Sequence, residues 1–83
     1  MSADAIEVFL IERVAELLGI DVSEVDPARP HASYGLDSAT ALLLAGDIED
    51  ELGVRLSDSV AWDYPTLRSL AAHIAAVRDG GEG

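Results

Sequence analysis

The clearest structural signal in the chain lies in residues 35–53, which read GLDSATALLLAGDIEDELG. Apolar side chains recur there at spacings of three and four from about Ser38 to Leu52, which is the periodicity of an amphipathic helix. Gly53 suits the left-handed backbone that follows a helix, and either Asp37 or Ser38 can cap the start. The segment therefore predicts one helix with defined ends.

The two sides of this predicted helix differ in composition. With a turn of about 100° per residue, one side forms an apolar core face: Ala41, Leu44, Ala45, Ile48 and Leu52. The opposite side, called the outer face below, combines two carboxylates with one large apolar residue and two small ones: Ala39, Leu43, Gly46, Asp47 and Asp50. An apolar spot rimmed by acid can contact a partner protein, although a single exposed leucine is also ordinary for a protein surface.

A first helix and a long loop precede this segment. Helical periodicity runs from Ala3 to Leu18, with Ser2 able to cap its start and Gly19 placed to end it. Residues 20–37 contain two prolines and no sustained periodicity, which predicts a long loop with one helical turn at about residues 21–25. Five side chains can anchor this loop to the core: Ile20, Val22, Val25, Tyr34 and Leu36.

Two further helices are predicted after Gly53. Ser57 can cap a short helix that ends at Trp62, and residues 63–65 break the chain. Thr66 can cap a last helix that ends at about Arg78. Its apolar stripe consists of Leu67, Leu70, Ala71, Ile74 and Val77. The aromatic residues Phe9, Trp62 and Tyr64 are predicted to lie in the core, with the short helix bordering a cleft.

These segments predict an all-α fold. No stretch shows convincing strand alternation. The expected architecture is a small four-helix bundle, with three main helices, one short helix and the long loop between the first two. Residues 1–79 are predicted to form one domain, and residues 80–83 a flexible tail rich in glycine.

The charge and the cysteine content of the chain restrict the classes of function it can have. Among 83 residues there are 16 acidic and 5 basic side chains, for a net charge of −11. That charge disfavours nucleic acid and anionic membranes, and it fits either partner proteins with basic patches or solubility alone. The chain has no cysteine, so any thiol chemistry requires a cofactor. Neither a signal peptide nor a membrane-spanning stretch is evident, so a cytoplasmic location is expected.

Ser38 stands where the long loop enters the central helix. A side chain at this junction is accessible, and the free backbone N–H groups of a helix start favour a bound anion such as a phosphodiester. The neighbouring Asp37 opposes an anion unless its carboxylate points elsewhere or is met by a partner's cation or a metal. From position alone, a simple helix cap is the commoner role for such a serine.

The stretch Tyr34-Gly35-Leu36-Asp37-Ser38 resembles the phosphopantetheine attachment motif of acyl carrier proteins. The resemblance continues through Glu51-Leu52-Gly53-Val54 and through Trp62-Asp63-Tyr64-Pro65-Thr66-Leu67, so it covers nearly the whole chain. It implies that Ser38 receives 4′-phosphopantetheine from coenzyme A, through a Mg²⁺-dependent phosphopantetheinyl transferase. The domain would then carry acyl groups as thioesters without being an enzyme.

The resemblance also implies partners and a docking surface. Asp37 would meet the transferase, and Ala39, Leu43, Asp47 and Asp50 would contact partner enzymes such as a ketosynthase, an acyltransferase or an acyl-AMP ligase. A monomer without a metal site is expected. The chain departs from the family's usual pattern at Ala39, where leucine is common, and at Leu43, where glutamate is common in polyketide carriers. These departures leave the identity of the partners open.

Three alternatives remain at this point. A peptidyl carrier is the nearest, although Leu36-Asp37-Ser38 favours an acyl carrier. An acidic helical adaptor without a prosthetic group is the second. A small hydrolase that pairs Ser38 with His31 or His73 is the third, and it lacks a supporting motif.

Overall fold

The computed structural model describes residues 2–57 and 59–80, and this part of the chain folds into helices joined by loops. Within those two ranges no strand forms, and the only β-type pairing is an isolated bridge between Pro30 and Thr66. The α-helices are α1 (Ala3–Leu18), α2 (Ser38–Leu52), α3 (Val60–Asp63) and α4 (Leu67–Gly80). Two 3₁₀ helices, Val22–Glu24 and His31–Tyr34, lie in the loop between α1 and α2. The predicted four-helix bundle is confirmed.

The ends of the first two main helices follow the sequence signals. The Ser2 hydroxyl accepts a hydrogen bond from the Ala5 N–H at 3.2 Å, which caps α1. Gly19 and Gly53 end α1 and α2, both with a φ of 68°. A side chain is strained in that left-handed conformation, so glycine is the residue that ends a helix there at least cost.

The core forms where α1 packs on α4 and α2. Its largest fully buried apolar side chains are Ile6, Leu10, Val14, Leu44, Ile48, Leu67, Leu70 and Ile74. Burying one such side chain stabilises the fold by about 1.5–3 kcal/mol. The predicted core face of α2 is confirmed, with Ala45 and Leu52 only partly buried. The stripe of α4 is confirmed as well, with Val77 partly buried at its end.

The long loop is anchored to the core, but not by all the residues predicted for it. Four of the five contact the core: Ile20, Val25, Tyr34 and Leu36. The prediction for Val22 is wrong, since this side chain is 49% exposed. Val22 belongs to a single 3₁₀ turn held by a capping box between Asp21 and Glu24. Only one side of so short a turn can face the core, and Val25 occupies it.

A second attachment of the loop involves His31, whose burial no sequence pattern indicates. Its side chain is only 2% exposed, and its Nε2 donates a hydrogen bond to the Tyr64 carbonyl at 2.9 Å. The His31 N–H donates to the Pro65 carbonyl at 2.9 Å, and the Arg68 N–H donates to the Pro27 carbonyl at 3.0 Å. These bonds fasten the loop to the segment between α3 and α4 and to the first turn of α4.

The buried imidazole of His31 titrates abnormally. A carbonyl oxygen can only accept, so the proton lies on Nε2, and Nδ1 is buried without a hydrogen-bond partner in the described part of the chain. Burial lowers the pKa of His31 below its usual 6.5, against the opposing effect of the hydrogen bond to Tyr64. At a pH between the two pKa values, His31 is therefore neutral in the folded chain and protonated in the unfolded chain.

We expect the free energy of unfolding to fall as the pH drops below about 6.5, because between the two pKa values of His31 the unfolded state binds more protons. The stabilisation that comes from the neutral imidazole is fully present above the unfolded-state pKa of His31. It is lost progressively as the pH falls to the lowered pKa of the folded state. Urea denaturation at a series of pH values from about 7 to about 5 measures the slope. His31→Gln keeps a donor for the Tyr64 carbonyl but does not titrate, so its slope should be shallower; an unchanged slope contradicts the assignment.

The C-terminal half differs from the prediction at the end of α4 and at both ends of α3, which runs to Asp63 and not to Trp62. Helix α3 begins at Val60 with Ser59 at the capping position, so the prediction that Ser57 caps it is wrong. The Ser59 hydroxyl instead donates to the Asp63 carboxylate at 3.0 Å, across the single turn of α3. Thr66 caps α4 as predicted, because its Oγ1 accepts from the Ser69 N–H at 3.0 Å.

Helix α4 is longer than predicted. It runs to Gly80, beyond the expected end near Arg78. The Arg78 Nη1 donates to the Leu52 carbonyl at 2.6 Å, which ties the last turn of α4 to the end of α2. Gly80 therefore still belongs to α4, and residues 81–83 of the predicted tail lie outside the described residues.

Candidate functional site

Ser38 is exposed at the first residue of α2, and Asp37 is the residue that caps this helix. The Asp37 Oδ1 accepts a hydrogen bond from the Thr40 N–H at 2.9 Å. This bond lowers the pKa of the Asp37 carboxyl below its usual range, so the group is ionised at neutral pH. Of the two candidate caps, Asp37 fills the role, and within the described ranges no hydrogen bond engages the Ser38 hydroxyl.

The Asp37 carboxylate is directed at the backbone of the first turn of α2. Its Oδ1 faces the Thr40 N–H inside the first turn, which uses one of the free donors of the helix start. The remaining N–H groups at the start of α2 still present partial positive charge beside Ser38. The Ser38 hydroxyl is thus exposed, next to this positive helix end and unused in capping.

A cleft of about 330 Å³ opens beside Ser38, between α2 and α3. Its lining is apolar apart from the serine and consists of Ser38, Ala41, Leu42, Ala45, Val60, Ala61 and Trp62. The small side chains Ala41, Ala45 and Ala61 leave the space, because no large residue fills the gap between the two helices. The expectation that the short helix borders a cleft is confirmed.

Trp62 lies at this cleft and not in the core. Its side chain is 52% exposed, so the prediction of a core tryptophan is wrong. A helix of one turn buries one side only, and Val60 and Ala61 occupy that side of α3. Phe9 and Tyr64 are partly buried against the core, as predicted.

Leu42 is a site residue that the sequence interpretation missed. It is 57% exposed and lines the cleft next to Ser38. The signal was present, since four residues correspond to about one helical turn, which places Leu42 directly above Ser38.

The outer face of α2 is exposed as predicted at three of its four proposed docking positions. Ala39 and Asp50 are exposed, and Leu43 has 61% of its surface accessible. Asp47 differs, because it is partly buried and its Oδ2 lies 3.9 Å from the Nε of Arg13 on α1. Asp37 also lies exposed, at the start of the same helix.

The pairing of Ser38 with a histidine, which a serine hydrolase would need, is not observed among the described residues. His31 is buried and its Nε2 donates to the Tyr64 carbonyl, while the His73 ring stacks on Tyr64 with centroids 4.2 Å apart. No hydrogen bond joins Ser38 to either histidine in the described residues. Across the same residues, no cluster of three potential metal ligands occurs. None of the helices in residues 2–57 and 59–80 has the length and apolar character of a membrane span.

The chain is similar to carrier domains in sequence. Residues 8–74 match the family model described as the phosphopantetheine attachment site. Over 66 residues the chain is 39% identical to the highly reducing polyketide synthase NEC1 of Pyricularia oryzae, which covers 80% of this chain and 2% of that synthase. Such synthases are far longer, and the chain spans only 1% to 4% of the polyketide synthases it matches.

Solved structures show the same likeness. A free-standing peptidyl carrier protein from Acinetobacter baumannii superposes with a TM-score of 0.86 at 32% identity, covering 90% of this chain and 94% of that one. Asl1650, an acyl carrier protein from Anabaena sp. PCC 7120, superposes with a TM-score of 0.83 at 31% identity, covering 93% and 88%. The helical fold and the family match across residues 8–74 agree, and the chain belongs to the phosphopantetheine attachment family, whose members are carrier domains with a covalently bound 4′-phosphopantetheine.

Proposed function

We propose that Ser38 is the attachment residue and that the chain carries acyl groups between enzymes of polyketide or fatty-acid-type biosynthesis. In this role it catalyses no reaction itself and serves as the substrate and tether of its partners. The proposal depends above all on one observation: Ser38 opens α2 with an exposed hydroxyl, while the neighbouring Asp37 supplies the cap. A serine at the start of a helix usually caps that helix, and here Asp37 does so instead.

The surroundings of Ser38 fit the prosthetic group. A phosphodiester on its hydroxyl would lie at the N-terminal end of α2, where backbone N–H groups favour an anion. The apolar cleft of about 330 Å³ begins at the same serine, so a chain attached there can turn into it. Leu42 and Trp62 stand on the two sides of this cleft, one on α2 and one on α3.

The prosthetic group supplies a terminal thiol that holds acyl groups as thioesters. The protein itself has no cysteine, so it offers no competing thiol. What the chain contributes is a fixed point of attachment, and a tethered substrate reaches each partner at a high effective concentration. Because the attachment point is at the surface, the partner's active site provides the catalytic groups.

The proposed partners are a phosphopantetheinyl transferase and the enzymes that load or extend the acyl group: a ketosynthase, an acyltransferase or an acyl-AMP ligase. The net charge of −11 supports partners with basic surfaces, which it would steer toward the chain. A peptidyl carrier is the second candidate, because the solved peptidyl carrier from Acinetobacter baumannii is similar over 90% of this chain. The stretch Leu36-Asp37-Ser38 favours the acyl carrier. A monomeric state and a cytoplasmic location stay predictions.

Intact-mass measurement tests the proposal. The purified chain is incubated with coenzyme A, Mg²⁺ and a transferase of broad specificity. We expect the mass of one phosphopantetheine to be added, and peptide mapping should place it on the fragment that contains Ser38. An unchanged mass would favour the adaptor alternative, and loading by an amino-acid-activating enzyme in preference to an acyl-activating one would favour the peptidyl carrier.

Substitutions of Asp37 separate capping from recognition. Asparagine can accept the same hydrogen bond from the Thr40 N–H as aspartate does, whereas alanine cannot. We therefore expect Asp37→Asn to keep the thermal stability of the wild type and Asp37→Ala to lower it. Both variants should be modified more slowly, because both lose the carboxylate proposed to meet the transferase. Melting curves and initial rates of mass gain measure the two effects, and a wild-type rate in Asp37→Asn contradicts the recognition role.

A further inference from the structure

The two carboxylates on the outer face of α2 are not equivalent. Asp47 lies within 3.9 Å of the Arg13 guanidinium, and its side chain has 38% of its surface accessible. Asp50 is exposed, and in residues 2–57 and 59–80 it takes part in no ion pair. Both residues follow Ser38 on the same helix and lie three positions apart, so a partner that covers one of them also reaches the other.

Arg13 is held in place by more than Asp47. Its Nη1 lies 3.6 Å from the Glu16 Oε1, one turn further along α1. Its guanidinium carbon lies 5.1 Å from the centre of the Phe9 ring, which is a cation–π contact. Only 30% of the Arg13 side chain is accessible. Because Phe9 and Glu16 restrict this side chain, little further entropy is lost when it pairs with Asp47.

The chain has 5 basic residues and 16 acidic ones, so a basic side chain next to the outer face of α2 is unusual. Arg13 places positive charge on α1 next to the outer face of α2. A partner cation that approaches Asp47 meets repulsion from Arg13 and has to compete with it for the carboxylate. A cation that approaches Asp50 has no such competitor in the described structure.

We propose that Arg13 masks Asp47, so that a basic partner surface binds Asp50 first and Arg13 limits the strength of docking. The inference rests on the proposed carrier function, since it concerns the surface through which partners would bind. The partner is a protein that presents lysine or arginine side chains to the C-terminal half of α2, where Asp47 and Asp50 lie, and the strongly negative charge of the chain favours such a partner. Arg13 is then a specificity-determining residue outside α2.

The test uses the transferase as the basic partner and measures kcat/KM for the addition of phosphopantetheine at low ionic strength. We expect Asp50→Asn to lower kcat/KM about two- to fivefold, which is the usual size of one exposed charge pair. Asp47→Asn should lower it less. Arg13→Gln should raise it by a similar factor, and the gain should disappear in the double variant Arg13→Gln/Asp47→Asn. All differences should shrink at high salt, because exposed charges are then screened.

A matched control separates masking from net charge. Arg55→Gln removes one positive charge from an exposed position beyond the C-terminal end of α2, so a gain equal to that of Arg13→Gln would overturn the proposal. Equal losses in Asp47→Asn and Asp50→Asn would overturn it too, while leaving the carrier function intact. A wild-type chain that gains no phosphopantetheine would overturn both. Circular dichroism melts confirm that each variant is folded.

Discussion

Ser38→Ala is expected to abolish the addition of phosphopantetheine completely, because the substitution removes the oxygen to which the group would be attached. The fold should be retained, since alanine is a good helix former at the start of α2 and Asp37 still caps the helix. Intact mass after incubation with coenzyme A, Mg²⁺ and the transferase gives an all-or-none result. The circular dichroism spectrum of the variant shows whether the helices are present.

Ser23→Ala is the matched control for this experiment. Ser23 is also exposed and also lies in a helical turn, in the first 3₁₀ helix of the loop. It lacks the cleft beside it and the long helix behind it, so its loss should leave the mass gain unchanged. Addition to Ser38→Ala at the wild-type level would assign attachment to another hydroxyl and refute the proposed site.

Ile48→Ala is expected to cause a large loss of stability. Ile48 has no accessible surface and lies in the core on the buried side of this helix. Removing its outer carbons loses their transfer free energy and leaves a cavity, which together cost about 2–5 kcal/mol. Small domains have a free energy of unfolding of only about 5–15 kcal/mol, so much of the stability would be lost.

Leu43→Ala gives the comparison for that measurement. Leu43 lies on the same helix but is 61% exposed, so its truncation should change the free energy of unfolding by no more than about 0.5 kcal/mol. Urea denaturation followed by circular dichroism measures both variants. Equal losses in the two would contradict the assignment of the two faces of α2.

The main helices were predictable because each is encoded by local patterns. The spacing of apolar residues in α1, α2 and α4 and the glycines after α1 and α2 determine where these helices lie and which side is buried. The proposed attachment motif around Ser38 can be read from the sequence in the same way, since it consists of a few consecutive residues. For these features, the information lies within one or two helical turns of the chain.

The features that the sequence does not predict depend on contacts between distant segments. His31 is buried because Tyr64 and Pro65 receive its hydrogen bonds, and these residues lie more than thirty positions away. The ion pair between Arg13 and Asp47 joins two helices in the same way. The residue type alone predicts a buried Trp62, yet a helix of one turn cannot bury every side, and packing determines which side is buried.

Trp62 is the single tryptophan of the chain, and it stands half in solvent at the rim of the cleft. Its fluorescence therefore reports on that cleft without any added label. An apolar chain that enters beside it would displace water from the indole and shift the emission toward shorter wavelength. Under the proposed function, the emission of Trp62 would distinguish an acyl chain folded against the protein from one extended into solvent.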